Sequence, residues 1–300
     1  MKYPILHLDL NIEKYDTPDS LDNILDKSLT AWEKLYGAEP SERSFSLRFA
    51  SIIERACKQA GQRVVILVDE YDKSMLQAIG NEELQRQFRN ALKPFYGALK
   101  TMDGCIKFAF LTGVTKFGKV SVFSDLNNLD DISMRKDYVE LCGVSDRELH
   151  DTLDAELHEF ADVRGVTYDK LCAELKECYD GYHFTHNSIG MYNPFSLLNA
   201  FKYKEFGSYW FETGTPTYLV SLLKKHHYDL ERMAHEETDA QVLNSIDSES
   251  TNPIPVIYQS GYLTIKGYDE EFGIYRLGFP NREVEEGFVR FYASLLCECQ

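Results

Sequence analysis

The sequence contains no apolar run near the roughly 20 residues that an α-helix needs to span a bilayer. The first ten residues, Met-Lys-Tyr-Pro-Ile-Leu-His-Leu-Asp-Leu, are too short and too polar for a secretory signal. No contact with a membrane is expected, and a cytoplasmic location follows. No Cys-x-x-Cys occurs, and the cysteines are odd in number: Cys57, Cys105, Cys142, Cys172, Cys178, Cys297 and Cys299. A disulfide framework is therefore not expected, and reduced thiols suit a cytosol. Cys172, Cys178, His183 and His186 have the spacing of no common zinc site. Positive charge is also scarce. Lys and Arg number 32 against 48 Asp and Glu, a net charge of −16. That argues against non-specific nucleic-acid binding by the body of the chain, since phosphate affinity comes mainly from Lys and Arg. It leaves room for a local basic groove. Internal repeats and low-complexity segments are absent too.

What is present is a packed globular composition, 44% apolar and 13% aromatic over 300 residues, enough for one large or two ordinary domains. The most informative stretch is Arg63–Asp72. Val64 to Val68 are apolar without a break, and Asp69 and Glu70 follow at once. A continuous β-branched run reads as a strand buried on both faces, as in parallel sheets. Ionised acids are costly to desolvate, so acids beside such a strand call for partners. At the carboxyl end of a parallel strand they reach the crevice where ligands bind. This is the Walker B arrangement, in which the Asp holds Mg²⁺, usually through water, and the Glu polarises an attacking water. The plainer alternative is a strand that ends in solvated acids.

Along the chain, strands are expected at Tyr3–Asn11, 63–70, Cys105–Leu111 and Tyr138–Cys142. Helices are expected after Thr17-Pro18, over Ser44–Ala60 and over Glu82–Lys100, where Pro94 should kink or divide the last. The first ~143 residues thus alternate strand and helix, the pattern of an α/β parallel sheet. Helices follow at 146–163, 167–179, 194–205 and 215–227. A β-hairpin around Tyr268–Gly273 comes next, then a helix over Asn281–Cys299. Helices followed by one hairpin suggest a winged-helix module, with an ordinary α+β cap as the alternative.

A Walker B acid needs a phosphate loop, Gly-x-x-x-x-Gly-Lys-Ser/Thr between a strand and a helix. The near match is Gly113-Val-Thr-Lys-Phe-Gly118-Lys119-Val120. It follows a strand, but Val120 stands where a hydroxyl belongs, the match comes after the acids, and a poor helix follows it. The better reading is a strand end beside a γ-phosphate, sensed by Thr112 or Thr115. Lys119 remains a candidate nucleotide contact. A Gly-rich turn between strands is the plain alternative. Arg135, in the loop beyond, is either a phosphate contact or a solvated loop arginine.

Five motifs together, Val-Asp-Glu-Tyr-Asp-Lys (68–73), Phe-Leu-Thr-Gly-Val-Thr-Lys-Phe (110–117), Tyr-Asp-Gly-Tyr-His-Phe (179–184), Tyr-Asn-Pro-Phe-Ser-Leu-Leu (192–198) and Tyr-Trp-Phe-Glu-Thr-Gly-Thr-Pro (209–216), resemble the bacterial AAA-ATPase-like family. Its members commonly carry a C-terminal PD-(D/E)XK nuclease-like domain. The resemblance implies an incomplete P-loop NTPase sheet over 1–143, a helical lid over 144–205, a winged-helix-like module over 206–280, and over 281–300 the passage toward a nuclease-like domain. It implies ATP and Mg²⁺ as ligands, Asp69 (also the metal residue) and Glu70 as the catalytic acids, and Thr112 as the sensor. Tyr179–Phe184 would lie in the lid.

The chain departs from the family pattern at Ser74, where Pro is expected. The family's phosphate-loop unit, which should precede Tyr3, and the nuclease-like domain are both lacking, so an internal piece of a longer protein is expected. Such a piece would leave strand edges unpaired, at about 1–3 kcal/mol per buried polar group, and would self-associate, pair with a protein partner or dissolve poorly. It would hydrolyse ATP negligibly. The alternative function is a non-catalytic scaffold that binds protein or DNA through the winged helix, where Lys224, Lys225, His226 and His227 form the basic cluster. No convincing Asp…Glu-x-Lys set marks a nuclease within these residues.

Overall fold

In the computed structural model, the described residues are 2–116, 122–123, 126–213, 235–244 and 252–297. They fall into two compact units, one up to Asp130 and one from Asp131 onward. The expected helix over 215–227 and the basic cluster at 224–227 lie outside the described residues.

The first unit is built on three parallel strands, β1 (Ile5–Asp9), β2 (Val64–Asp69) and β3 (Ile106–Leu111), in the order β1-β2-β3. The register pairs Asp9 with Asp69 and Val68 with Leu111, so all three carboxyl ends reach the same rim. Four helices join them: α1 (Asp19–Tyr36), α2 (Phe45–Ala60), α3 (Lys73–Gln77) and α4 (Glu82–Thr101). Helix α2 starts where the Ser44 side chain accepts the Leu47 N–H, and it ends at Gly61, whose left-handed backbone costs a glycine little. Helix α4 begins where Asn81 accepts the Leu84 N–H and runs unbroken through Pro94. The division expected at this proline does not occur. The core contacts of Leu92, Phe95 and Tyr96 hold the turns on either side.

One face of the sheet carries Leu6, Leu8, Val64, Ile66 and Val68, which pack in one core with Leu25, Leu29, Phe49, Ile53, Phe88 and Phe95 of the helices. Phe49 stacks on Phe95 with ring centroids 4.5 Å apart. Arg48 ties α2 to α1 through Glu33 (2.6 Å), Asp26 (2.6 Å) and Thr30 (3.0 Å). The other face differs from expectation. Val65 and Leu67 are half-buried, and Ile5 and Phe108 are 57% and 54% exposed. The β2 run is thus buried on one face, because all the helices that cover the sheet among the described residues share the opposite core. Strand β3 is an edge, with no further strand paired to it among the described residues.

The second unit holds α5 (Asp146–Thr152), α6 (Asp154–Arg164), α7 (Tyr168–Tyr179) and α8 (Pro194–Tyr203), joined by the short pair β4 (Val144–Ser145) and β5 (Met191–Tyr192). It also contains an antiparallel sheet of β6 (Glu237–Asp239), β7 (Thr264–Asp269) and β8 (Ile274–Gly278), in the order β6-β8-β7. With it come α9 (Ala240–Leu243), α10 (Ile254–Gln259) and α11 (Arg282–Cys297). The hairpin around Tyr268–Gly273 is observed.

The strand expected at Tyr138–Cys142 is not formed. The chain there turns helically, with Tyr138 N–H donating to Arg135 O and Leu141 N–H to Tyr138 O, and both side chains are exposed. The strand starts only after Gly143, whose positive φ of 100° and close approach to the Met191 side chain exclude larger residues. The helix expected over 146–163 is two helices broken at Leu153, with the Tyr168 hydroxyl bridging His150 and Asp154 across the break.

Tyr179–Phe184 is a structural hub. Tyr179 exchanges two hydrogen bonds with the Gly207 backbone, at 2.9 and 3.0 Å. Gly181, with φ 106°, lies against the Pro280 carbonyl, and His183 N–H donates to Thr264 Oγ1 at 2.7 Å. No helix among the described residues is long and apolar enough to cross a membrane.

Two measurements check this packing. Phe49→Ala should destabilise the chain by about 3–5 kcal/mol in urea unfolding, as expected for an aromatic lost from a filled core. The carboxyl of Glu42 is held down to about 2, first by the hydrogen-bonded Arg55 guanidinium. A depressed acid stabilises the fold above its unfolded value and loses that contribution as pH falls through the folded one. Glu42→Gln should therefore flatten the acid limb of the stability curve between about pH 4.5 and 2.

Candidate functional site

The parallel register delivers the acids to one place. Strand β2 ends at Asp69, beside Asp9 at the end of β1, while the chain leaves β3 at Thr112. The backbone continues the pairing past the strands, with Thr112 N–H on Val68 O (2.9 Å), Tyr71 N–H on Thr112 O (2.9 Å) and Leu10 N–H on Asp69 O (3.1 Å). Asp69 Oδ1 accepts the Thr112 hydroxyl at 2.6 Å and the Glu70 N–H at 3.1 Å. Two of the candidate residues, Asp69 and Thr112, are therefore in direct contact, although 43 residues separate them in sequence.

Glu70 follows at once and has a left-handed backbone, φ 56°. Non-glycine residues occupy that region rarely, and mostly where neighbours force it. Its carboxyl is pushed above the usual range, first by burial, then by Asp72, with Asp69 and Asp9 adding to the effect and Lys73 opposing it. A half-buried carboxylate of this kind holds a proton more readily than an exposed one.

Thr115 sits differently. It is 3% exposed, and its hydroxyl donates to Asp72 Oδ2 at 2.6 Å. The N–H groups of Val114 and Thr115 also donate to Asp72, at 3.2 and 2.5 Å. A phosphate cradle at Gly113–Lys119 would need such amides, and these two are engaged by protein. Val122 lies in the core, and Phe123 packs its ring on Tyr71 and Tyr96. Among the described residues from Thr112 to Asp130 there is no helix. Lys119 lies outside the described residues. In the second unit, Arg135 places its guanidinium over the Tyr138 ring, 5.9 Å from the centroid.

Sequence reading missed Asp9, Asn11, Asp72 and Lys73. Asp9 Oδ1 accepts the Asn11 N–H at 2.8 Å, and the Lys73 ammonium meets the Asn11 side-chain carbonyl. The available signal was an acid at the end of the first strand, in Leu8-Asp9-Leu10, which only parallel pairing with β2 turns into a neighbour of Asp69. Among the described residues no group of three or more His, Cys, Asp or Glu side chains is set to hold a metal ion, and this includes Cys172, Cys178, His183 and His186. One carboxylate with its Oδ1 oriented by two donors fits a cation held largely through its own waters, as Mg²⁺ commonly is.

Comparison with known proteins agrees with this core. Residues 1–123 match the model of the AAA-ATPase-like family, described as a predicted AAA-ATPase. That stretch, similar to the family, contains β1 to β3 with Asp69, Glu70 and Thr112. Over 287 residues, 95% of the chain, the sequence is 36% identical to a protein of Azotobacter chroococcum mcd 1 described as an uncharacterized protein in the vnfD 5′ region. The match spans 53% of that protein, so the chain covers about half the length of its relative. No solved structure matches the chain.

The environment of Glu70 leads to a measurement. A carboxyl raised in the folded state costs stability once ionised, so the fold gains as pH drops through the window between the unfolded and the raised folded value. Glu70→Gln should therefore be more stable than the wild type in urea unfolding at pH 7, and the difference should vanish below about pH 4, where both side chains are neutral.

Proposed function

We propose that the first unit is the acid-bearing part of an ATP-driven switch, with Mg²⁺–ATP bound at the carboxyl rim of β1, β2 and β3. The observation that carries this reading is the Asp69–Thr112 contact at that rim, with Glu70 beside it. Asp69 would orient water in the Mg²⁺ shell, Glu70 would polarise the attacking water, and the Thr112 hydroxyl would feel the γ-phosphate. Thr115 would act through Asp72 rather than on the nucleotide.

The phosphate grip is assigned to a strand–loop–helix unit outside these 300 residues. Among the described residues, the open edge of β3 and the uncovered face with Ile5 and Phe108 support this, since a parallel sheet buries both faces and pairs its inner strands. Until that unit is supplied, ATP binding should be weak and hydrolysis negligible. Loss of three charge-assisted phosphate contacts, at about 1.5–3 kcal/mol each, lowers affinity roughly a thousandfold or more.

For the second unit we propose a helical lid over 144–205 and a winged-helix-like module over 206–280. The sheet order β6-β8-β7, with α9 and α10 between β6 and β7 and a hairpin closing it, supports the module. Helix α10, Ile-Pro-Val-Ile-Tyr-Gln, has no Lys or Arg, and its residues Ile254 to Ile257 are buried. Among the described residues this helix offers DNA phosphates no cation, and the basic cluster at 224–227 lies outside them, so the scaffold alternative keeps both a protein and a DNA partner.

Calorimetric titration of Mg²⁺–ATP into this chain, and into a longer chain extended upstream, tests the switch. The extended chain should bind far more tightly and turn over ATP, with turnover abolished by Glu70→Gln. Turnover by the 300-residue chain that is lost in Glu70→Gln would instead place the cradle within it, at Gly113–Lys119.

A further inference from the structure

The stretch from Asp69 to Asp72 and the stretch from Thr112 to Thr115 meet through more bonds than the site chemistry uses. Asp72 has no solvent exposure at all. Its two carboxylate oxygens accept the N–H of Val114, the N–H of Thr115 and the Thr115 hydroxyl. A buried carboxylate is tolerated where donors replace its lost water, and here all three come from one short segment. Tyr71 adds two further ties: its N–H donates to Thr112 O at 2.9 Å, and its hydroxyl to Thr115 O at 2.6 Å. Gly113 makes the approach possible. A Cβ there would lie 2.8 Å from the Tyr71 ring and would collide with the Asp72 carboxylate.

Glu70 sits inside this arrangement. Its left-handed backbone is flanked by Asp69, which is bonded to Thr112, and by Tyr71, which is bonded to Thr112 and Thr115. The neighbours that over-determine its conformation are therefore held by the partner segment.

We infer that Asp72 is a positioning residue, whose bonds to Val114 and Thr115 join Glu70 and the Thr112 strand end into one part that opens and moves together. The purpose of the coupling rests on the nucleotide-switch reading: a phosphate pressing on Thr112 would be transmitted to Glu70 through the shared frame. The coupling itself is a property of the fold.

Amide hydrogen exchange on the full 300-residue chain without nucleotide, resolved to single residues, tests it. Thr115→Val keeps the side chain's size and removes one donor to Asp72. The amides of Val114 and Thr115 should exchange roughly tenfold faster or more, the scale of a lost hydrogen bond to a charged group. Glu70 and Tyr71 should accelerate with them, while Ile66 in mid-β2 should not. Thr115→Ser, which keeps the hydroxyl, should retain wild-type protection. Acceleration confined to Val114 and Thr115 would overturn the inference, and so would acceleration shared equally by Ile66, which signals a global loss of stability. Because the readout needs no ATP, a chain that binds none still decides it.

Discussion

Parallel pairing of three strands is the constraint on which the site depends. Strands that run the same way end at the same rim, and the register that aligns Asp9 with Asp69 also aligns Val68 with Leu111. Without that alignment, Thr112 could not reach Asp69. Hydrophobic burial on one face enforces the register, because a slip by one residue would turn Val64, Ile66 and Val68 out of the core. Packing that looks purely structural thus determines where two acids and a hydroxyl meet.

The sheet is unevenly finished. One face is closed by a core that includes Trp32, Phe49 and Phe95, while the other carries Ile5, Val65, Leu67, Phe108 and Phe110 with little cover. Phe108 and Phe110 pack on each other, with ring centroids 6.0 Å apart. Apolar side chains gathered on a parallel sheet are ordinarily shielded, since each square ångström returned to water costs about 25 cal/mol. The composition of the strands therefore describes a more fully covered sheet than the described residues provide.

Much of this was legible in the sequence. The apolar run 64–68 ending in Asp69-Glu70, the cap at Ser44 and the stop at Gly61, and the hairpin around Tyr268–Gly273 all carry local signals that the structure follows. Other features were not legible. At Tyr138–Cys142 a short, mostly apolar run suggested a strand, but no strand pairs with it among the described residues, and the exposed Tyr138 and Leu141 settle into turns. Pro94 carries a breaking signal that core contacts on both sides override. Thr115 looked like a phosphate sensor because it follows a strand, yet its hydroxyl points to Asp72, 43 residues away. The YDGYHF motif was visible as a pattern, but its work of tying Gly207, Pro280 and Thr264 together was not.

Local chemistry explains the division. Helix caps, glycine turns and apolar runs act over a few residues, so the sequence by itself determined the elements and the place of the acid pair at a strand end. The partners of those acids lie far along the chain. Only the tertiary structure decided that Asp69 orients the Thr112 hydroxyl, that Asp72 takes up the amides of a would-be phosphate loop, and that Asp9 joins the rim, because each contact exists only once β1, β2 and β3 are in register.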